Sequence, residues 1–258
     1  MLNYLNLLRQ ITLRDILSRY KGAAMGLVWS FVTPLAMLVV YTFVFSEVFG
    51  ARWHVGSDDR VGFAINLFAG LIVHGAFAEC ASRATGLIAQ NQNYVKRVVF
   101  PLWLLSPMVM LSALFHAMIS FLVLLLAFAW FYGFVHWQVI FLPIVLLPYV
   151  IFLLGVIWLL SALGVFLRDI GQVMPVLITA MLFMAPVFYP VNALPEAFQG
   201  WLYFNPLTPA IEMIRALLVV GELPSLALYC KYSLASALAA ACGLAFFLRV
   251  RKGFADVL

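Results

Sequence analysis

Arg19-Tyr-Lys-Gly-Ala-Ala-Met-Gly-Leu-Val-Trp-Ser-Phe-Val-Thr-Pro34 opens the first long uncharged run of the chain. Charge collects just ahead of it, at Arg14, Asp15, Arg19 and Lys21, and from Gly22 to Ser46 no charged side chain occurs. At about 1.5 Å per helical residue, such a run is enough to cross a hydrocarbon layer of roughly 30 Å. Trp29 and Pro34 near its start suit a helix that enters a bilayer through the aromatic interfacial zone. Long apolar stretches with charge confined to their ends recur from here to the C-terminus.

The 258 residues are 66% hydrophobic and 10% charged, with a mean hydropathy of +1.08. Soluble domains carry about 25% charged residues, so this composition excludes a water-soluble core. The length suits one membrane domain of about six spans and leaves no room for a separate soluble catalytic domain. The first 21 residues lack the continuous apolar core and small-residue cleavage site of a signal peptide. Cys80, Cys230 and Cys242 are too far apart for a close-spaced metal motif, so no metal is expected. Nor is nucleic acid expected as a partner.

The expected fold is an all-α integral membrane protein with six transmembrane helices. The spans are placed at about 27–49, 61–89, 102–130, 140–167, 172–188 and 227–248. Residues 1–21 form a cytoplasmic amphipathic interfacial helix, residues 22–252 the transmembrane domain and residues 253–258 a cytoplasmic tail. In the first segment Tyr4, Leu5, Leu8 and Ile11 share one helical face, whereas Leu13, Ile16, Leu17 and Tyr20 share a roughly opposite one. The two faces predict a kink near Thr12 in a helix lying along the membrane, or packed on the protein's own inner side. Pro143 and Pro148 predict a bend near the start of span four.

Segment 189–223 carries Pro190, Pro195, Pro206 and Pro209 around two apolar pieces, each too short to cross. They are read as two short re-entrant helices in the outer leaflet, with Pro195 and Pro209 as helix-starting residues and Thr208 as the cap of the second.

The Lys/Arg balance sets the orientation. With both termini cytoplasmic, Arg9, Arg14, Arg19, Lys21, Lys96, Arg97, Arg168, Arg249, Arg251 and Lys252 all fall on the inner side. No Gly-x-x-x-x-Gly-Lys-Ser/Thr loop, HExxH or Gly-x-Ser-x-Gly is present, so the expectation is a non-enzyme with no catalytic residues and no P-loop hydrolysis of its own.

Inside the spans, Glu79 and Arg83 stand four residues apart on one helical face. They read either as a neutral strut or as part of a polar pathway. Lone His74 and His116 read as packing or hydrogen-bonding residues. Phe188, Tyr189, Trp201 and Tyr203 read as an interfacial belt or as a surface on which sugar rings stack. Gln90-Asn-Gln-Asn-Tyr-Val-Lys-Arg97 is a short polar loop between two spans, either a plain turn or a docking knob for a cytoplasmic partner. An intramembrane enzyme acting on lipid-linked sugars would need acid–base groups at one face, and His54, Asp58 and Asp59 form the one grouping of that sort. A secondary transporter is opposed by the missing inverted repeat and scarce mid-membrane carboxylates.

Several stretches together resemble ABC-2-type permeases that export polysaccharides. Arg19 to Leu35 resembles the family's entry to the first span, Asn91 to Pro101 its cytoplasmic loop, and Phe166-Leu-Arg-Asp169 its turn after span four. Pro186 to Pro195 and Tyr203-Phe-Asn-Pro-Leu207 resemble its outer re-entrant segment, and Arg251 to Leu258 is similar to the tail of lipopolysaccharide O-antigen exporters.

The resemblance implies a homodimer in the bacterial inner membrane, bound to two copies of a cytoplasmic ATPase that carries the ATP and Mg; no cofactor is expected in this chain. It implies contact with that ATPase through Arg9, Arg14, Asp15, Gln90, Asn91, Gln92, Asn93, Tyr94, Lys96 and Arg97. The cargo implied is a polyprenyl-diphosphate-linked polysaccharide, O antigen before capsule or teichoic acid, moving among membrane lipids. Arg14, Arg19 and Lys21 are the cations proposed to meet its diphosphate. Glu79, Arg83, Phe188, Tyr189, Trp201 and Tyr203 are the candidate pathway residues, and Arg168 and Asp169 mark the cytoplasmic turn.

Overall fold

The computed structural model describes residues 2–44, 60–95, 100–167 and 169–257. Among them the regular structure is entirely helical. Helix α1 (Leu2–Tyr20) leads through a short connector to α2 (Trp29–Thr42), and α3 (Arg60–Ala84) and α4 (Leu105–Tyr132) follow. Next come α5 (Leu147–Phe166) and α6 (Ile170–Met184), then the short α7 (Glu196–Leu202) and α8 (Leu207–Arg215), and finally α9 (Leu226–Val250).

Among the described residues, four stretches are long and apolar enough to cross a membrane: Val61–Ala84, Leu102–Tyr132, Trp137–Phe166 and Leu226–Gly253. The first and fifth expected spans appear only as the shorter helices Gly26–Thr42 and Ile170–Met184. The far end of the first, with His54, Asp58 and Asp59, lies outside the described residues. The fifth stops because the backbone turns at Ala185–Val187; its 15 residues reach about 22 Å, less than a hydrocarbon core. The second also ends earlier than expected: Thr85-Gly86 breaks the helix, and Leu87–Gln90 and Gln92–Val95 are separate single turns.

Helix α1 corrects the expectation of a kink. It runs unbroken through Thr12, with Ile11, Thr12 and Ile16 buried and packed toward α4, while Tyr4, Leu5, Leu13 and Leu17 stay exposed. One member of each expected face, Ile11 from the first and Ile16 from the second, turns inward while the rest are exposed or half-buried, so the helix has no need to bring both faces into one interface. The proline bend of span four is present: Leu142–Val145 and α5 are separate helices joined at Leu146, each with proline in its first turn.

The cap expected at Thr208 is replaced by another device. The Thr208 hydroxyl donates to Leu202 O at 2.6 Å, and the helix start is held instead by Asn205, whose Oδ1 accepts from Leu207 N at 3.0 Å. The apolar pieces of segment 189–223 do form two short helices, α7 and α8.

The core centres on α3, the most enclosed of the four long stretches. Its Gly62, Ala64, Ala69, Gly70, Ala76 and Ala81 present little bulk, so α4, α5, α6 and α8 can all approach it. The largest helix–helix contact joins α5 and α9. It runs through Gly155 and Gly243, where a Cβ on Gly155 would lie 2.7 Å from Ala239 O and one on Gly243 would collide with the Gly155 carbonyl. Without side chains at these points the two backbones touch, and van der Waals contact, which drives helix association in lipid, is maximised.

Gly243→Leu should therefore wedge the seam apart and cost about 1–3 kcal/mol. Thermal unfolding of the detergent-solubilised protein would show it as a lowered midpoint. Gly200→Ala, where no atom lies within 4 Å of the new Cβ, should leave the midpoint near wild type.

Candidate functional site: a charged ladder beside an amphipathic cavity

Three helices each carry a pair of polar residues one helical turn apart: Asp15 and Arg19 on α1, Glu79 and Arg83 on α3, Ser112 and His116 on α4. Side chains at i and i+4 stand on one face. Both α1 and α3 order the pair acid then base, so opposite charges can meet only if the two pairs align in opposite chain order.

That is the arrangement observed. In one rung Arg83 Nη2 donates to Asp15 Oδ1 at 2.7 Å, and Ser112 Oγ donates to Asp15 Oδ2 at 2.5 Å. In the other, Arg19 Nη2 donates to Glu79 Oε1 at 2.6 Å, and His116 Nδ1 lies 3.2 Å from Arg19 Nη1 and 3.3 Å from Glu79 Oε2. The rungs are joined within α3 by Arg83 Nη1 and Glu79 Oε1 at 3.4 Å. Two carboxylates face two guanidinium groups, so the ladder carries no excess charge into a region of low dielectric.

The Arg19 rung closes one end of a cavity of about 610 Å³. Tyr20 and Ser30 stand beside that rung, their hydroxyls in contact. The remaining wall is mainly apolar, from Trp29, Pro34 and Met37 on α2 to Phe68, Leu71 and Ile72 on α3, with Ala113 and Ala117 on α4 and Leu182 on α6; Thr33, Tyr41, His74 and Ser120 are its polar members. Its volume lies within the range of small-molecule sites. Burial raises the Tyr20 hydroxyl above its ordinary pKa, opposed by the adjacent Arg19, so Tyr20 meets the cavity as a neutral phenol. A space with a cationic, hydrogen-bonding end and an oily remainder is matched to an amphiphile with an anionic head.

The Glu79–Arg83 pair expected from the sequence is present, but each partner makes its shorter contact to α1. Asp15 turns its carboxylate inward onto Arg83 and Ser112. Arg9, Arg14, Gln90, Gln92, Asn93 and Lys21 are exposed; Asn91 is half-buried, its amide donating to Leu87 O at 2.8 Å. The Tyr94 side chain, Lys96, Arg97 and Arg168 fall outside what the structure describes, while Asp169 is exposed at the turn before α6. His74 donates through Nε2 to Ile178 O at 3.0 Å, tying α3 to α6.

Of the candidate pathway residues, Glu79 alone lines the cavity. Phe188 stacks on Phe183 at 5.5 Å, the Tyr189 hydroxyl donates to Phe183 O at 3.0 Å, and Trp201 and Tyr203 are exposed around the end of α7. Among the described residues no His/Cys/Asp/Glu group is arranged to hold a metal ion.

Sequence reading missed a second polar centre. Arg215 on α8 is 5% exposed and donates to Asn66 O on α3 (2.9 and 3.2 Å), to Pro186 O (2.6 Å), to Val187 O (3.1 Å) and to Glu212 Oε1 (3.0 Å). Five N–H donors reach five acceptor contacts, which is the full capacity of a guanidinium. The one signal in the sequence was a basic residue inside the apolar piece after Pro209.

The sequence matches the profile of the ABC-2 type transporter family over residues 6–219. It is 28% identical over 266 residues to an O-antigen export system permease protein of Klebsiella pneumoniae, covering 100% of this chain and 97% of that relative. It is 26% identical over 224 residues to an O-antigen export system permease protein of Myxococcus xanthus, covering 86% and 83%. It is also 26% identical over 214 residues to the polysialic acid transport protein of Escherichia coli, covering 81% and 80%.

Asp15→Asn and Arg83→Gln should each free α1, at a cost of about 1–3 kcal/mol for groups still partly exposed, whereas the double variant should lose less than the sum. Hydrogen–deuterium exchange of residues 2–20 would report this. Arg215→Lys, which cannot fork to the carbonyls of α3 and of the turn after α6, should destabilise the protein by about 2 kcal/mol or more, read in the same unfolding assay.

Proposed function

The chain belongs to the ABC-2 type transporter family, and from that premise we propose that it is the membrane permease subunit of an exporter for a lipid-linked polysaccharide. O antigen is the favoured cargo, since full-length relatives are named for its export. A capsular polysaccharide is the second reading, favoured by the polysialic acid and capsule export relatives. The observation that carries the proposal is the cavity: a guanidinium and hydroxyls at one end and an oily wall beyond fit the diphosphate and the first isoprene units of a polyprenyl carrier.

In this reading Arg14, Arg19 and Lys21 gather the diphosphate from the cytoplasmic leaflet. Both termini are cytoplasmic, six helices cross the bacterial inner membrane, and α7 and α8 dip into the outer leaflet without crossing. The work comes from a separate ATPase that holds ATP and Mg, because this sequence has no P-loop. Arg9, Arg14 and the 90–97 loop contact that ATPase.

The permease works as a homodimer in this reading. Helix α6 supports it: of its residues Met174 is the one fully buried, while Val173, Val176, Leu177, Phe183 and Met184 are exposed. A helix too short to cross alone, and so lightly held by its own protomer, gains a packing surface from a second copy.

Affinity purification of the tagged chain from its native membrane should bring down a soluble P-loop ATPase; recovery without one would count against the proposal. Replacing both Arg19 and Lys21 with glutamine should reduce export of glycan to the cell surface by an order of magnitude or more while the complex still assembles. Unchanged export would remove these two cations from the entry site.

A further inference from the structure

The two rungs of the ladder differ in what surrounds them. Asp15 is held by Arg83 and Ser112, and none of the three lines the cavity. Arg19 does line it, with 38% of its side chain still exposed. Its partner Glu79 has two other donors in reach, Arg83 Nη1 at 3.4 Å and His116 Nδ1 at 3.3 Å. Glu79 can therefore release Arg19 without becoming an unpaired carboxylate, the outcome that makes breaking an ion pair expensive. An incoming anion offers Arg19 a stronger replacement than water does.

We propose that the Arg19–Glu79 pair is an exchangeable latch: a phosphate-bearing anionic head group entering the cavity takes the Arg19 guanidinium from Glu79, and the end of α1 shifts with it. The inference rests on the reading of the cavity given above and adds a regulatory step to it. A diphosphate competes well for the site because it offers more acceptor oxygens and more charge than one carboxylate, and a guanidinium can bind two of those oxygens at once. Glu79 then closes onto Arg83 and His116. The Asp15 rung stays shut, so α1 pivots about Asp15 and does not leave the bundle.

The chain next to Arg19 runs through exposed turns whose one route into α2 passes the cavity. Lys21 to Met25 are all exposed, and Gly22 and Gly26 sit at φ +89° and +52°, a region open to glycine at little cost. These two residues flank the connector that leads into α2, whose Trp29, Ser30, Thr33, Pro34 and Met37 wall the same cavity. A change at Arg19 is thus passed within one short segment to the wall that must part around a lipid. It also reaches α1, whose exposed face is available to a partner. Occupancy of the cavity and the posture of α1 become one equilibrium.

The test uses the full complex in nanodiscs, with polyprenyl diphosphate and inorganic pyrophosphate as separate probes. Spin labels go on Leu17→Cys and Met118→Cys, both exposed sites, with Cys80, Cys230 and Cys242 replaced by serine or alanine. Polyprenyl diphosphate should bind and change the distance between the labels. Glu79→Gln, which weakens the competitor for Arg19, should bind about tenfold tighter and give the shifted distance with less ligand. Arg19→Gln should lose the shift, and Arg19→Lys should recover part of it.

Binding by wild type with affinity unaltered in Glu79→Gln, or with no change in label distance, overturns the latch alone. Failure of wild type to bind overturns the latch together with the lipid-carrier reading of the cavity. A shift with pyrophosphate as well as the lipid supports the exchange and assigns recognition to the head group. A shift with the lipid alone supports it too and requires the chain to deliver the head.

Discussion

Charge placed among apolar helices must be neutralised where it stands, because water is not there to do it. The protein meets that requirement with Asp15, Arg19, Glu79 and Arg83, which close on one another across α1 and α3 at 2.6 and 2.7 Å. Since neither helix can satisfy its pair as well alone, α1 is pinned to the bundle at a fixed height and rotation. That pinning sends the connector to α2 along the cavity and brings Ser112 and His116 of α4 into the same array. The position of the amphipathic helix, the floor of the cavity and the entry to the first span all descend from this one electrostatic constraint.

Arg215 solves the same problem differently. Where the ladder answers charge with charge, Arg215 spends most of its donors on backbone carbonyls of α3 and of the turn after α6. The Pro186 and Val187 carbonyls would otherwise be poorly satisfied where α6 has ended and the chain reverses. The result is a closely bonded corner, in contrast to a ladder whose Arg19 rung is half open to the cavity. One polar centre is saturated by its partners and the other keeps a cation exposed.

The packing between these ends relies on small residues. Gly155 and Gly243 let α5 and α9 meet backbone to backbone, and the glycines and alanines of α3 let α2, α4, α5, α6 and α8 crowd around it. Large apolar side chains such as Leu67, Phe77, Leu153 and Ile157 fill the space between helices, and others, such as those of α6, point outward. In lipid this is the favourable distribution, because oily side chains gain nothing from leaving an oily solvent and close contact is what holds helices together.

Composition and the spacing of charge were enough to read an all-helical membrane protein, long apolar spans at about 61–89, 102–130, 140–167 and 227–248 that the structure bounds at Val61–Ala84, Leu102–Tyr132, Trp137–Phe166 and Leu226–Gly253, the proline break before α5 and two short helices in segment 189–223. These follow from local chemistry: the solvent each segment tolerates, and the backbone hydrogen bonds that proline removes. The i, i+4 spacing of Glu79 and Arg83 was visible in the same way. Their tighter bonds to Arg19 and Asp15 were not, because four-residue spacing says which side chains share a face but not which helix that face will meet. The carbonyl partners of Arg215 and the packing of α1 on α4 were likewise decided by residues distant in the chain. Partners 60 to 149 positions apart leave no periodic trace in a single sequence, so the fold's local parts could be read from it, and the cavity with its charged end came only when those parts were packed together.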